Sequence, residues 1–412
     1  MKRLFAAILT ATLFAVGIEG MERIETDGAG YLILENGNAS YYGKVGSVRR
    51  EVEAGGRGFA VNIIGKGFDK EQCNVVIPNG VEIIGEKCFY SCESLREVIF
   101  EEGSELKEIG HEAFHSSGLE SIRIPAKVKG IGRHCFWGCK DLREVIFEAG
   151  CPNLKRMDDY AFRSSGLKSI RIPSTVEFID LYCFSDCKSL GEVIFELDSN
   201  LKRIDGYAFA WSGLRSIRIP SKVEFIGEGC FKKCKSLRKA IFEEGSELRR
   251  IDGYAFAYSG LKSVRIPSSV EFIGGWCFGN CGELCKALFE NDSNLKRMEE
   301  YTFLCSGLRS ICIPANVEFI GRSCFYKCAN LREMIFSPDS QLKEIKKENI
   351  PSATRVPPYG TITYPPIKHL LVPYGTIFGD REVYFPCVIE YYNGPITRKQ
   401  AELIATRNRR SV

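Results

Sequence analysis

The 412-residue sequence has no marked excess of charge of either sign, since 56 lysines and arginines stand against 52 aspartates and glutamates. Proteins that bind nucleic acids or membrane surfaces usually concentrate basic residues on one face, and a net charge of +4 gives no support for either class. Phosphate loops, dinucleotide-binding fingerprints, Gly-x-Ser-x-Gly motifs and kinase signatures are also missing. We therefore predict a protein that is not an enzyme and uses no cofactor.

Long apolar runs are missing as well, except at the N-terminus. No later segment approaches the roughly 18 uninterrupted apolar residues that a membrane-spanning helix needs. At the N-terminus, Lys2 and Arg3 precede an apolar run of about thirteen residues that is followed by Gly17. A buried helix is the less favoured interpretation, because only threonine interrupts the run. We predict a signal peptide over residues 1–20, and hence a secreted or cell-surface protein.

An internal repeat organises the rest of the sequence. Ile-Pro dipeptides recur at intervals of 47, 48, 47, 47 and 47 residues, and their prolines are Pro78, Pro125, Pro173, Pro220, Pro267 and Pro314. The one extra residue falls in the stretch from Ala149 to Pro152, where a loop can absorb it. Regular self-similarity at this spacing is typical of proteins that are built by stacking similar units.

Each period contains two related coils. Both follow the pattern Ile-Gly/Asp-x-x-small-Phe, then a small residue, then Leu-x-x-aliphatic-x-apolar, as between Ile84 and Phe100 and between Ile109 and Ile124. Eleven coils are marked by their phenylalanines, which are Phe89, Phe114, Phe136, Phe162, Phe184, Phe209, Phe231, Phe256, Phe278, Phe303 and Phe325. Degenerate copies flank these coils near residues 64 and 342.

The Leu-x-x-Leu-x-Leu segment is the strand signature of leucine-rich repeats. Alternation along a strand points its first, fourth and sixth residues inward and its third and fifth residues outward. One coil cannot bury its apolar side alone, so the coils must stack, with each phenylalanine on those of its neighbours. We predict a leucine-rich-repeat solenoid over residues 61–350, with a parallel β-sheet on the concave face of a right-handed coil and short turns or short helices on the convex face. Residues 21–60 are predicted to form an N-terminal cap, and residues 351–412 a C-terminal β-rich cap of short hairpins with a basic tail.

The coil pattern resembles that of the BspA-like leucine-rich-repeat proteins of bacteria and of parasitic or commensal protists. The resemblance covers roughly residues 60–350 and is specific, because the pattern recurs eleven times. It implies a cell-surface or secreted protein that adheres to host or matrix proteins. The family has no catalytic residues that could be transferred to this sequence.

The fifth strand position is the most informative part of the predicted surface. Aliphatic residues alternate there with arginines, and we predict a binding stripe, called here the predicted stripe, formed by Ile99, Arg123, Ile146, Arg171, Ile194, Arg218, Ile241 and Arg265. Glutamates at the third position could instead pair with arginines of the next strand, for a few tenths of a kcal/mol per exposed pair. From Lys239 onward lysine replaces glutamate at some third positions, so the two halves are expected to favour different partners. Because arginine and exposed aliphatic groups are common at interfaces, we favour a protein ligand.

Residues 111–115 read His-Glu-Ala-Phe-His, which matches the zinc-protease motif His-Glu-x-x-His. In those enzymes a helix places both imidazoles on one face, and a zinc-dependent hydrolase that uses His111 and His115 is a remote alternative. The repeat offers a simpler explanation, because Ala113 and Phe114 occupy framework positions of the coil. The motif also needs a third ligand, and only His134 and His369 remain. We predict no metal site.

Twelve of the eighteen cysteines form six Cys-Phe-x-x-Cys pairs, which are Cys88/Cys92, Cys135/Cys139, Cys183/Cys187, Cys230/Cys234, Cys277/Cys281 and Cys324/Cys328. Alternate coils hold alanine and serine at the same positions, so we predict small, buried, unbonded side chains, although a bridge inside a pair is geometrically conceivable. Better candidates for disulfides are the off-pattern residues Cys73, Cys151, Cys285, Cys305, Cys312 and Cys387. If all eighteen thiols stay reduced, an intracellular interaction scaffold without export is the alternative function.

Overall fold

The computed structural model describes residues 74–337 and 339–342 and, outside them, the strands Met21–Glu25, Gly30–Glu35, Asn38–Gly43, Glu51–Ala54, Arg57–Ala60, Ile63–Ile64, Glu344–Ile345, His369–Pro373, Ile377–Phe378 and Val388–Tyr392. The predicted signal peptide and basic tail lie outside the described residues. The chain divides into two compact units, residues 1–200 and 201–412, called here unit 1 and unit 2. In the described part of the chain, no helix combines the length and apolar character that crossing a membrane requires.

Each coil of unit 1 contributes one four-residue strand, called here a long strand. Four of them form a parallel sheet, in the order Asn74–Ile77, Glu97–Phe100, Ser121–Ile124 and Glu144–Phe147. The next two long strands, Ser169–Ile172 and Glu192–Phe195, also pair in parallel. Parallel pairing in register follows from the repeat, because each turn of chain returns the same residue types to the same place.

A two-residue strand in each coil forms a second row. In unit 1 these short strands are Ile63–Ile64, Ile83–Ile84, Glu108–Ile109, Gly130–Ile131, Arg156–Met157 and Phe178–Ile179. The first four continue, in parallel, a sheet that starts with the antiparallel strands Met21–Glu25, Gly30–Glu35 and Asn38–Gly43. The predicted N-terminal cap therefore contains three strands that lead into the repeat, together with the hairpin Glu51–Ala54 and Arg57–Ala60.

Unit 2 repeats this arrangement. Its long strands are Ser216–Ile219, Lys239–Phe242, Ser263–Ile266, Lys286–Phe289, Ser310–Ile313 and Glu333–Phe336. Its short strands are Arg203–Ile204, Phe225–Ile226, Arg250–Ile251, Phe272–Ile273, Arg297–Met298 and Phe319–Ile320.

The C-terminal strands continue the parallel sheet of unit 2. His369–Pro373 pairs in parallel with Glu333–Phe336, and Val388–Tyr392 pairs in parallel with His369–Pro373. The short strands Glu344–Ile345 and Ile377–Phe378 also pair in parallel. For these strands the prediction of hairpins was wrong, because the spacing between them is long enough for a full coil, which returns the chain in the same direction.

The predicted alternation of buried and exposed positions is confirmed. In Ser121–Ile124 the two isoleucines are buried, whereas Ser121 and Arg123 are exposed. Strands of the Glu-Val-Ile-Phe type differ at the sixth position, where Phe147 is only half-buried. Both kinds of strand thus bury one side against the interior of the coil and expose the third position.

The phenylalanines form a buried stack in each unit, as predicted. All eleven are fully buried. In unit 1 the ring centroids of Phe89, Phe114, Phe136, Phe162 and Phe184 follow one another at 4.9 to 5.2 Å. In unit 2 those of Phe209, Phe231, Phe256, Phe278, Phe303 and Phe325 do so at 5.1 to 5.6 Å. Removing these rings from water stabilises the packing of each coil on its neighbours.

In the coils that the structure describes throughout, turns and not helices connect the short strand to the long strand. Residues such as Lys87 and Ser91 have φ of 55° and 53°, and this left-handed conformation reverses the chain. Their amides donate to the next coil, Lys87 to the carbonyl of His111 at 2.9 Å and Ser91 to that of His115 at 2.8 Å. The extra residue of the repeat falls beside a 3-10 helix at Glu148–Gly150.

Candidate functional site

The predicted stripe lies on the outer face of the long strands, and its two residue types differ in exposure. Arginines of the stripe, such as Arg171, are exposed. Of the aliphatic residues only Ile99 is exposed, at 44%, while Ile146 and its later equivalents are half-buried. The strand register explains this difference, because each half-buried isoleucine lies directly beside an arginine, whose aliphatic stem can cover it, as in Arg171 and Ile194. The stripe therefore presents more cationic and less apolar surface than its sequence suggests.

The alternative interpretation, in which glutamates of neighbouring strands neutralise these arginines, does not describe the structure. Arg123 contacts Glu148 at 3.8 Å, and Glu148 lies beyond the end of its strand. Among the described residues, Arg171, Arg218 and Arg265 have no carboxylate oxygen within 4.0 Å. Most of the arginines in the stripe are therefore available to an external partner.

Unit 2 carries a concentration of positive charge that the sequence analysis recognised only in part. We call it the basic face: the lysines and arginines at the second, third and fifth positions of its six long-strand segments, namely Arg215, Arg218, Arg238, Lys239, Lys262, Arg265, Lys286, Arg309 and Arg332. One acidic residue, Glu333, shares these positions. In unit 1 the same positions hold a mixture of both signs, such as Arg96, Glu97 and Glu120. The sequence analysis considered only the third and fifth positions. It missed the basic residues at the second position, which directly follows the buried leucine of each coil.

Few of these cations are neutralised within the molecule. Arg238 contacts Glu283 at 2.9 Å. Seven others have no carboxylate oxygen within 4.0 Å in the described range, and they are Arg215, Arg218, Lys239, Lys262, Arg265, Arg309 and Arg332. Neighbouring parallel strands lie about 4.8 Å apart, so second-position cations of successive coils, such as Arg215, Arg238 and Lys262, lie closer together than the Debye length of about 8 Å. The positive charges on this face repel one another, and the face attracts an anionic partner.

The His-Glu-x-x-His residues do not form a zinc-protease site. Residues 111–116 are a series of turns, so no helix aligns the two imidazoles. His115 stacks on Tyr90 with ring centroids 4.8 Å apart. His111 instead lies beside Glu112 and His134, and the ligand atoms of these three residues are within 4.8 Å of one another. Burial lowers the pKa of both His115 and His134, so both rings are neutral near neutral pH.

The paired cysteines are small, buried packing residues, as predicted. In the pair Cys135/Cys139, the Cys139 thiol donates to the carbonyl of Phe114 at 2.9 Å and lies 3.4 Å from the Ser117 hydroxyl. Burial raises the pKa of Cys139 to about 11, which keeps the thiol protonated and unreactive. The equivalent thiols Cys187, Cys234, Cys281 and Cys328 show the same shift, also to about 11.

None of the sixteen cysteines in the described range forms a disulfide. Among the off-pattern residues, Cys151 is buried, Cys305 and Cys312 are half-buried and Cys285 is exposed. Cys73 and Cys387 lie outside the described residues, so the prediction of bridges is not tested for them.

Comparison with known proteins identifies the repeat. The family described as "BspA type Leucine rich repeat region" matches in six copies, over residues 68–191, 155–285 and 242–350. A search of curated proteins gave no match. Two solved structures share the fold, a leucine-rich repeat protein from Bacteroides ovatus and the pneumococcal vaccine antigen PcpA.

The structural similarities extend over most of each chain. The Bacteroides protein is 21% identical, with a TM-score of 0.58, over 91% of this chain and 99% of its own. The pneumococcal antigen is 18% identical, with a TM-score of 0.51, over 81% and 91%. Identities this low show the fold alone, whereas the family match spans more than half of the sequence. This chain therefore belongs to the BspA-type leucine-rich-repeat proteins.

Proposed function

We propose that this protein is a secreted or cell-surface protein that binds another protein through the outer face of its long strands, in adhesion or in recognition of host or matrix proteins. The observation that carries this proposal is the basic face of unit 2, with seven cations that have no described acidic neighbour. A partner protein with an acidic surface would complement it. Complementary charge speeds association and selects against partners of the wrong sign.

The half-buried aliphatic residues between the arginines support a protein partner. An interface gains affinity where water is removed from apolar surface beside arginines, and arginine is enriched in interfaces. Ile241 lies directly beside Arg218, and Leu288 beside Arg265. A polyanion without apolar groups would use the charges but not these residues. In unit 1 the predicted stripe would make the same kind of contact with less net charge.

Location outside the cell is supported by three observations of different kinds. The N-terminal sequence has the pattern of a signal peptide, and BspA-like proteins are typically secreted or displayed on the cell surface. One solved protein of the same fold is a vaccine antigen.

The experiment measures binding of the chain from residue 21 to a fluorescent glutamate-rich peptide as the acidic probe. We expect the double variant Arg218→Glu/Arg265→Glu to weaken binding by at least about tenfold, which corresponds to about 1.4 kcal/mol. The matched control is Arg249→Glu/Lys296→Glu, which makes the same change of charge at residues that flank the short strands and pair with Glu271. The control should bind like the wild type.

Two results would contradict the proposal. One is an equal loss of affinity in both double variants, which would mean that net charge alone governs binding. The other is a wild-type chain that binds heparin oligosaccharides tightly and the acidic peptide not at all, which would indicate a sulfated glycan as the partner.

An intracellular interaction scaffold is the second candidate, and one observation favours it. No disulfide joins any of the sixteen described cysteines, and cytosolic proteins keep their cysteines reduced. Counting thiols in the denatured protein, together with sequencing the N-terminus of the mature chain, separates the candidates. A mature chain that begins near residue 21 supports export, and one that begins at Met1 supports the scaffold.

A further inference from the structure

Three of the four histidines of the chain lie within 24 residues of one another, at positions 111, 115 and 134. Two of them, His111 and His134, lie at variable positions of their coils, close to a glutamate that replaces a recurring tyrosine. Glu112 occupies a position that is tyrosine in the other four coils of its type, namely Tyr160, Tyr207, Tyr254 and Tyr301. His111 precedes it, and His134 occupies the equivalent turn of the next coil. The coils do not need these residue types in order to stack.

His111, Glu112 and His134 meet at one place on unit 1. His111 Nε2 lies 2.9 Å from a carboxylate oxygen of Glu112, and one ligand atom from each of His111, Glu112 and His134 lies within 4.8 Å of the other two. All three residues are half-buried. We propose that His111, Glu112 and His134 form a binding site for a divalent transition-metal ion of the Zn²⁺ type.

The separations are within reach of such an ion. Zinc–nitrogen bonds of about 2.0–2.1 Å place tetrahedral ligands about 3.3 Å apart, so separations of up to 4.8 Å must close by at most about 1.5 Å. His111 can make this movement, because its side chain is 39% exposed. The backbone of the two coils is fixed, since the amide of Glu112 donates to the carbonyl of Arg133 at 3.0 Å and that of His134 to Asp159 at 3.0 Å.

The surroundings of His134 hold its ring in place. Its imidazole stacks on Tyr160, with centroids 4.8 Å apart and planes 13° apart, and lies 5.0 Å from the ring of Trp137. Its Nδ1 is buried and has no hydrogen-bond partner among the described residues. A ring that is fixed by packing and has a nitrogen without a partner loses little freedom when it coordinates a metal ion.

The donor set selects the kind of ion. Two imidazoles and one carboxylate suit Zn²⁺, Co²⁺, Ni²⁺ or Cu²⁺, whereas Ca²⁺ and Mg²⁺ require oxygen ligands. Three protein ligands leave one tetrahedral position for water or for a donor from a partner molecule. Because the ligands come from two neighbouring coils, a bound ion would also tie these coils together. His115 is not one of the ligands, since the ligand atoms that lie close together are those of His111, Glu112 and His134.

The test is calorimetric titration of the full chain with Zn²⁺, in a buffer with a reductant that does not chelate metals. We expect one equivalent to bind, and we expect His111→Gln and His134→Phe each to weaken binding by at least about tenfold. The phenylalanine keeps the stacking on Tyr160 and removes the ligand nitrogen, and circular dichroism verifies that each variant folds. The matched control, His115→Phe, changes a histidine of the same segment and should bind like the wild type.

Exposed thiols are the main competing ligands, and the same titration excludes them. Cys285→Ser should leave zinc binding unchanged, and Co²⁺ bound to the wild type should show no sulfur-to-cobalt charge-transfer band. Loss of binding in Cys285→Ser, an equal loss in His115→Phe, or no stoichiometric binding by the wild type would each overturn the proposal. A rise in melting temperature with Zn²⁺ that is absent in His134→Phe would support the link between coils.

Discussion

At the scale of single residues, the interior of each coil depends on the volume and polarity of a few buried side chains. Phe136 lies in the stack of rings between Phe114 and Phe162, and Cys139 fills a position that is Ser117 in the preceding coil. The position of Phe136 requires a large ring with neighbours on both sides. The position of Cys139 requires a small side chain, and the thiol there donates a hydrogen bond to the carbonyl of Phe114.

These requirements predict opposite outcomes for two substitutions in one coil. Cys139→Ser should lower the free energy of unfolding by less than about 1.5 kcal/mol, because serine is small and can donate the same hydrogen bond. Phe136→Ala should lower it by about 3–5 kcal/mol, because it leaves a cavity between two rings. Urea denaturation followed by circular dichroism measures both. Equal effects would mean that the rings are not the main source of packing energy.

Asp180 is a buried acid whose ionisation affects stability. Its carboxylate accepts a hydrogen bond from Arg156 at 2.7 Å, yet burial dominates and raises its pKa to about 6. The nearby carboxylates of Asp158 and Asp159 act in the same direction. Because the folded-state pKa lies above the unfolded value of about 3.9, the folded chain binds more protons between these values.

The sign of this pH effect follows directly. The contribution of Asp180 to stability is fully present below about pH 4 and is lost as the pH rises through about 6. The loss should amount to ~1–2 kcal/mol. Asp180→Asn should flatten the stability profile in this window, as measured by urea midpoints at a series of pH values. A profile with the same slope in wild type and variant would show that other groups cause it.

At the scale of the coil, close approach of neighbouring turns restricts the side chain that can be accommodated at Gly227. A Cβ atom on Gly227 would lie 2.5 Å from the amide nitrogen of Gly206, whereas one on Gly282 would have no neighbour within 4 Å. At Gly227 the backbone of the preceding coil thus leaves no room for a side chain, whereas other coils accommodate an aspartate at the equivalent position, such as Asp180.

Two glycine-to-alanine substitutions test this restriction. Gly227→Ala should lower the free energy of unfolding by about 1–3 kcal/mol, because two turns of backbone must move apart. Gly282→Ala should change it by less than about 1 kcal/mol, since the added methyl group meets open space. Thermal unfolding of both variants provides the comparison. A Gly282→Ala variant that is the less stable of the two would contradict this explanation.

The repeating parts of the coil could be predicted from the sequence, because each inference was supported by six to eleven copies. The phenylalanine stack, the buried cysteines and the exposed third position were all expected. The parallel C-terminal strands were not expected, since residues 369–392 occur outside the regular pattern. The contact of His111 with Glu112 and His134 depends on side-chain positions in two coils, and no spacing along one coil reveals it.

At the scale of the whole molecule, repetition turns single side chains into extended rows. A residue type that recurs at one position of each coil forms a line of like groups along the sheet. In unit 2 this line is basic, although the net charge of the chain is only +4. The small net charge therefore concealed a local concentration of positive charge, because acidic residues such as Glu271 and Glu299 flank the short strands.

The salt dependence of binding to the glutamate-rich peptide, for the wild type and for Arg218→Glu/Arg265→Glu, tests the role of the basic face most directly. Affinity is measured between about 50 mM and about 500 mM sodium chloride, a range over which screening of exposed charges increases strongly. We predict that wild-type affinity falls steeply with salt and that the variant binds weakly, with a much smaller dependence. Wild-type affinity that does not change with salt, or equal salt dependence in both proteins, would contradict binding through this face.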